Sequence, residues 1–434
     1  MTRHLTNTTP PGWSSAQVRS AKQAVYTAFI ANGFIFASWA ARIPQVRDGL
    51  RVTPGVLGLI LLSVAVGSTI ATPLSGLVIT WLGDSRTVAV MALTAAAGMA
   101  TVGVGYRYGI PPVAAGLFLF GFSSGTWDVA QNVQGAAVEQ ALGRSIMSRF
   151  HAGWSIGTVA GAGAGSAMVA LGVPVTVHLL AAALVIAVAV PIAARRFLPH
   201  ARPPGHADPG NRDGTAARRS PLRAWTEPRT LLIGLFVLCM AFTEGTSNDW
   251  LSLAVIGGYH TAAALGTLTF AVFLAAMTAG RWFGPPFIDR YGRVRVLRVC
   301  AATALGGLLL IEAGGVLAAA LAGAVLLGLG TSLGFPTGIS AAADDPRYAP
   351  GRVSTAASIG YLAFLADHVG VLRGLSVAGV LLIVAFILCP VTAPLSPSGD
   401  PPDGGGKSRH RPPAGSVRRP PGRGWCGRRG SESD

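Results

Sequence analysis

Twelve predominantly apolar stretches, most of them at least twenty residues long, divide this 434-residue chain. A helix needs about 20 apolar residues to cross roughly 30 Å of hydrocarbon. Inside lipid the backbone must satisfy its own hydrogen bonds, and for runs of this length only helices do so. The runs lie at 22–41, 55–80, 87–106, 111–134, 150–171, 173–194, 230–256, 261–283, 296–316, 317–341, 353–372 and 374–394. They predict an all-α membrane protein with twelve transmembrane helices.

Composition excludes the main alternatives. Only 12% of residues are charged and 51% are hydrophobic, whereas a soluble chain carries about 25% charged residues. The 57 glycines suit helices that approach closely in lipid. A net charge of +16 does not point to nucleic acid here. The basic residues sit in short breaks between apolar runs, where they report orientation and contact with lipid headgroups. Cys239, Cys300 and Cys389 lie in apolar runs and Cys426 in a polar stretch. No CxxC pair, metal-ligand spacing or nucleophile motif is present, and His178 stands alone in an apolar run. The expectation is no metal, no cofactor and no enzyme chemistry.

With both termini placed in the cytoplasm, the outer loops hold Arg42, Arg47, Arg51, Arg107 and Arg373, five of the 34 basic residues. The others fall on the inner side, as the positive-inside rule requires. This predicts a multi-pass protein of the cytoplasmic (inner) membrane. Its expected parts are a cytoplasmic segment (1–21), a six-helix bundle (22–194), a cytoplasmic linker (195–229), a second six-helix bundle (230–394) and a disordered basic tail (395–434). The halves echo each other. Trp39 and Trp250 are 211 positions apart, Gly83 and Gly292 209, Gly121 and Gly328 207. That spacing suggests two parallel repeats with a binding site between them.

The loop after the eighth run contains Gly284, Asp289, Arg290, Gly292 and Arg293. It resembles the signature loop of the major facilitator superfamily, Gly-x-x-x-Asp-Arg-x-Gly-Arg-Arg. Glycine permits the tight turn, and an Asp at a helix end could pair with an Arg of the next helix and hold this face shut. The first-half copy, Trp81-Leu82-Gly83-Asp84-Ser85-Arg86, is degraded, with Thr80 where the Asp belongs. The family's Arg early in span four and its Gly-Pro motif in span five are absent, which weighs against drug antiport. Over residues 25–385 the resemblance is to the MosC/YbjJ-like branch. It is carried by Trp39-Ala-Ala-Arg42-Ile-Pro, Gly125-Thr-Trp-Asp128-Val-Ala-Gln-Asn132, Arg149-Phe-His151-Ala-Gly and Glu244-Gly-Thr-Ser-Asn-Asp249-Trp250. The resemblance implies a monomeric secondary transporter, with membrane lipids and a small polar solute, sugar- or polyol-like, as its partners.

Charge in hydrocarbon is costly, at least about 2.5 kcal/mol per group on insertion scales, so it tends to mark function. The resemblance implies that spans one, four, seven and ten line a central cavity. That collects Asn32, Asp128, Asn132, Glu244, Asn248, Asp249 and Thr331, with Ser332 beside the last, as candidates for solute or proton binding. The alternative for Asp128 is a structural tether, paired to Arg149 or hydrogen-bonded between helices, and for Asp249-Trp250 an interfacial anchor. Trp39 and Trp250 could stack on a sugar ring or belong to an interfacial belt. His151 is expected as an interfacial hydrogen-bonder or proton relay, and Glu312 near an outer helix end. Gly153, Gly157, Gly161 and Gly165 form a close-packing seam. Span eleven is short: only 353–366 is cleanly apolar, so Asp367 and His368 must enter its outer end and the chain must turn at Arg373-Gly374. That leaves a second reading, a non-transporting or decayed protein of the same fold.

Overall fold

The computed structural model describes residues 13–199, 220–313, 315–366 and 371–395. The chain divides into Met1–Leu395 and Ser396–Asp434. The basic tail, most of the linker (200–219), residues 1–12 and Asp367-His368 lie outside the described residues.

Regular structure in the described residues is helical. The first half contains α1 (Ser15–Ala40), α2 (Ile43–Leu50), α3 (Pro54–Leu82), α4 (Asp84–Gly105), α5 (Ile110–Leu142), α6 (Met147–Ala170) and α7 (Val175–Ala194). A short 3-10 turn at Pro221–Thr226 leads into the second half. There follow α8 (Pro228–Tyr259), α9 (Ala263–Phe283), α10 (Pro285–Tyr291), α11 (Arg293–Ala313), α12 (Leu317–Thr331), α13 (Gly334–Ala342), α14 (Ala349–Ala366) and α15 (Val371–Leu388). Nine crossings among the described residues are long and apolar enough alone, taking α1 with α2 and α12 with α13 as one each. α6, diluted by Arg149, His151 and its glycines, and α14 and α15 complete the twelve.

Several boundaries move for local reasons. α1 starts at Ser15 instead of 22, because Ser14 forms a capping box with Gln17 at 3.2 and 2.8 Å. α5 runs on past 134 until Gly143, in the left-handed region at φ 60°, stops it. Residues 284–295 are not a plain loop. Pro285–Tyr291 is helical and prolongs α9, and Gly292 alone separates α10 from α11. α14 begins at Ala349, with Pro350 in a first turn that needs no amide donor, and Arg352 is tied to Glu227 at 2.6 Å. Among the described residues the eleventh crossing therefore has 18 helical residues, about 27 Å at 1.5 Å per residue. It gains four residues at its start, Ala349 instead of 353. Arg373 falls inside helix α15, not in a turn.

α1 packs on α6 and α7, α3 on α5, and α4 on α5 and α7. In the second half α8 packs on α14 and α15, α9 on α12, and α11 on α12 and α15. The halves meet where α3 faces α14 and α6 faces α9. The repeat suggested by glycine spacing is present in the backbone. Gly83 (φ 78°, ψ 153°) and Gly292 (φ 82°, ψ 152°) make the same turn, one that side-chain-bearing residues rarely adopt. A Cβ at Gly121 would strike the Val64 carbonyl of α3, and one at Gly328 the Phe273 carbonyl of α9.

The glycine seam lies against α1. A Cβ at Gly157 would collide with the Ile30 carbonyl, and one at Gly161 with that of Phe34, while Gly163 faces open space. Overpacking of this kind costs about 1–3 kcal/mol. Gly157→Ala should therefore lower Tm in detergent by several degrees, whereas Gly163→Ala should leave it equal or higher. Equal effects would show that α1 and α6 are not in backbone contact.

Candidate functional site

α5 carries Gly121, Gly125, Asp128 and Asn132 along one side, as helical spacing requires. Asp128 lies about 21 Å from the end of α5 at Leu142, at 1.5 Å per residue. Its Oδ1 accepts from Gln131 at 3.1 Å and its Oδ2 from the Tyr361 hydroxyl of α14 at 3.2 Å. Both donors are neutral, and among the described residues no cation pairs with it. The pairing with Arg149 is not formed, whereas the hydrogen bond between helices is, through Tyr361; Arg149 Nε donates to the Trp282 carbonyl at 2.9 Å, because α6 directs it toward α9. Asn132 donates to the Asp128 carbonyl at 2.9 Å, and its Oδ1 lies 3.0 Å from His151 Nε2. His151, the fifth residue of α6, is buried against the bundle. It sits edge-on to Phe29 of α1 and Phe335 of α13, with centroids 5.0 and 5.4 Å away.

In the other half Glu244, midway along α8, receives the Arg281 guanidinium at 2.8 Å on each carboxylate oxygen. Arg281 also reaches Ser155 of α6 at 3.5 Å and the Ser332 carbonyl at 3.4 Å. The last contact has a local cause. The tenth crossing is interrupted between Thr331 and Gly334, which frees carbonyls at membrane depth that need a donor. Arg281 supplies one, at the end of α12 where a cation is also favoured by the helix dipole. Its placement among inner-side basic residues is thus corrected: it is a buried counter-ion inside the bundle.

The remaining candidates divide. Asn32 is buried in α1 and Thr331 in α12, where its hydroxyl donates to the Leu327 carbonyl at 2.9 Å. Asn248 is half-buried, one turn beyond Glu244, and Asp249 is exposed. Trp39 is buried and so is not part of a lipid-facing belt; Trp250 is half-buried, and Glu312 is exposed. Arg42, in the turn between α1 and α2, is buried instead of solvent-facing. It is 2% exposed and donates to His178 Nδ1 at 3.0 Å and to the Val173 carbonyl at 3.1 Å. His178 is accordingly partnered, because the α6–α7 turn folds over the end of α1.

Polar bridges join the halves at the face that carries the α5–α6 and α10–α11 links. Glu139 uses one oxygen to accept from the Ile146 and Met147 amides at 2.7 and 2.8 Å. Its other oxygen takes the Ser340 hydroxyl and lies 3.8 Å from Arg293. Asp289 accepts from the Ser145 amide at 2.8 Å, and Gln140 donates to the Ala343 carbonyl at 2.8 Å. Asp289 does not pair with an Arg of the next helix, since the turn at Gly292 makes Asp289 and Arg293 face different neighbours. Arg293 pairs with Asp344 at 2.6 Å, which Arg229 also reaches at 2.9 Å. A Cβ at Gly284 would meet Leu333, and Arg290 lies over Tyr291 at 5.2 Å.

Arg281, Tyr361, Gln131, Ser155 and Glu139 were not among the expected site residues. An arginine inside an apolar run is as strong a signal as an acid. Nothing in the sequence distinguishes Tyr361 from a packing aromatic.

Comparison with known proteins agrees with this architecture. The Major Facilitator Superfamily model matches residues 25–365. An uncharacterized transporter of Sinorhizobium fredii, y4wD, is 32% identical over 77% of this chain and 85% of its own length. An uncharacterized MFS-type transporter of Yersinia pestis is 31% identical over 84% and 92%. The membrane protein MosC of Rhizobium meliloti is 26% identical over 71% and 72%. Among solved structures, the E. coli fucose:proton symporter FucP superposes with a TM-score of 0.67 at 15% identity, covering 86% of this chain and 98% of that one. The human organic anion transporter MFSD10 gives 0.64 at 16%, covering 86% and 99%. Twelve crossings in two packed halves, the Gly284–Arg293 turn and a family match over most of the chain place this protein in the Major Facilitator Superfamily of transporters.

Proposed function

We propose that this secondary transporter carries a small uncharged, hydroxyl-rich solute together with a proton. Asp128 carries the reading. A carboxyl deep in the bundle whose partners are a neutral amide and a phenol is suited to gain and lose a proton, because its charge there has no counter-ion. Glu244, clamped by Arg281, is the fixed charge of the site. Asn32, Asn132, Asn248 and Thr331 offer neutral amides and a hydroxyl, which suit sugar or polyol hydroxyls better than a charged solute. The fold is shared with a fucose:proton symporter, but the argument for this chain rests on its own residues.

Proton and solute act on the contact between the halves. Tyr361 belongs to α14 and Asp128 to α5, so the protonation state of Asp128 bears directly on a bond across that contact. The bridges of Glu139, Gln140, Ser145 and Arg149 to Ser340, Arg293, Ala343, Asp289 and Trp282 form the latch that must open for alternating access. Gly284 and Gly292 shape the latch loop. Arg290 takes no part in those bridges.

A thermal-shift screen of purified protein with polyols, sugars and amino sugars tests the solute class. Neutral polyols or sugars should raise Tm, and the same solutes should exchange across proteoliposomes. Stabilisation by anionic solutes alone would contradict the class. No binding together with no exchange would favour the non-transporting reading.

A further inference from the structure

Away from the central site, a cleft of about 340 Å³ opens between α1 and α6, with one wall from α9. Lys22, Arg144 and Arg149 line it, together with Tyr26, Ile30, Ile156 and Trp282. Three cations therefore meet in one cleft, and among the described residues no carboxylate pairs with any of them. Arg149 is held there by its bond to the Trp282 carbonyl.

The charged and apolar parts are layered. Lys22 and Ile30 are eight residues apart on α1, and Arg149 and Ile156 are seven apart on α6. At 1.5 Å per residue, the apolar layer lies about 11–12 Å further along the same helices. Ile30, Ile156 and Trp282 are 36, 47 and 40% exposed, and Val159, one turn on, is 74% exposed. The cations sit level with the α5–α6 link, and the apolar surface runs from them toward the middle of the bundle. That is the layout of a phosphate over acyl chains.

We infer that the cleft formed by Lys22, Arg144, Arg149, Tyr26, Ile30 and Trp282 binds an anionic phospholipid, its phosphate on the three cations and an acyl chain along Ile30 and Ile156. Basic side chains near an anionic leaflet attract its headgroups. The exposed isoleucines below the cations favour a lipid over a free phosphate ion. A lipid seated there touches α1 and α6 on one side and α9 on the other, so it adds to the contacts that hold this face closed.

The test is native mass spectrometry of the full chain released from nanodiscs of phosphatidylglycerol mixed with phosphatidylcholine. Wild type should retain phosphatidylglycerol in preference to phosphatidylcholine. Lys22→Gln/Arg144→Gln should bind it on the order of tenfold more weakly. The charge-matched control Arg195→Gln/Arg196→Gln, at exposed positions after α7, should bind it like wild type. Added inorganic phosphate should not displace the lipid. Equal retention of both lipids, equal loss in both variants, or displacement by inorganic phosphate would overturn the assignment. If the double variant does not fold, Arg144→Gln alone, in the exposed α5–α6 link, carries the test.

Discussion

Arg281→Gln should reduce solute transport at least a hundredfold and lower Tm, while Arg281→Gln/Glu244→Gln should recover Tm without recovering transport. The asymmetry follows from burial. The Glu244 and Arg281 side chains are 20% and 5% exposed, so the pair has little water to fall back on. Removing one member of a buried pair leaves an uncompensated charge and costs about 3–5 kcal/mol, whereas neutralising both is often tolerated. Arg281 also satisfies the Ser332 carbonyl and reaches Ser155 across the halves, so it positions α12 and α6 as well as Glu244. A double variant that keeps both full stability and full transport would show that the pair is a structural tether only.

Asp128→Asn should abolish accumulation driven by an inward proton gradient, by at least tenfold, while solute exchange at equal pH on both sides persists. Asparagine can keep hydrogen bonds to Gln131 and Tyr361 but has no titrating proton. An effect on accumulation with exchange retained separates proton coupling from solute binding and from misfolding. Tyr361→Phe, which removes the bond between α14 and Asp128, should shift the pH dependence of uptake and leave Tm nearly unchanged. If Asp128→Asn still concentrates solute with the proton gradient, Asp128 is not the coupling group.

Much of the fold was legible because lipid imposes a simple rule. Runs near twenty apolar residues, with Arg-rich breaks, mark crossings wherever they occur, and Gly83 and Gly292 reveal the repeat because each turn needs a positive φ. Boundaries were less legible, since Ser14, Gly143 and Pro350 act through local caps that hydropathy does not register. Asp128, Asn132 and Glu244 stood out as polar groups in apolar runs, and the structure places each in a polar cluster. Arg281 and Arg42 were legible by the same reasoning but were counted as orientation signals. Partnerships were not legible at all: the bonds of Asp128 to Tyr361 and of Arg42 to His178 join residues 233 and 136 positions apart, which no local spacing encodes. The start of the eleventh crossing was not legible, because its first turn contains Pro350 and Arg352, residues that look like a loop until Glu227 neutralises the arginine.

The central claim, that a solute and a proton cross together through this protein, is tested most directly by a pH electrode in weakly buffered proteoliposomes. Adding a solute identified by the thermal-shift screen should make the external medium more alkaline as protons enter with it. The signal should vanish in Asp128→Asn. Solute entry by the wild-type protein with no change in external pH would contradict the account.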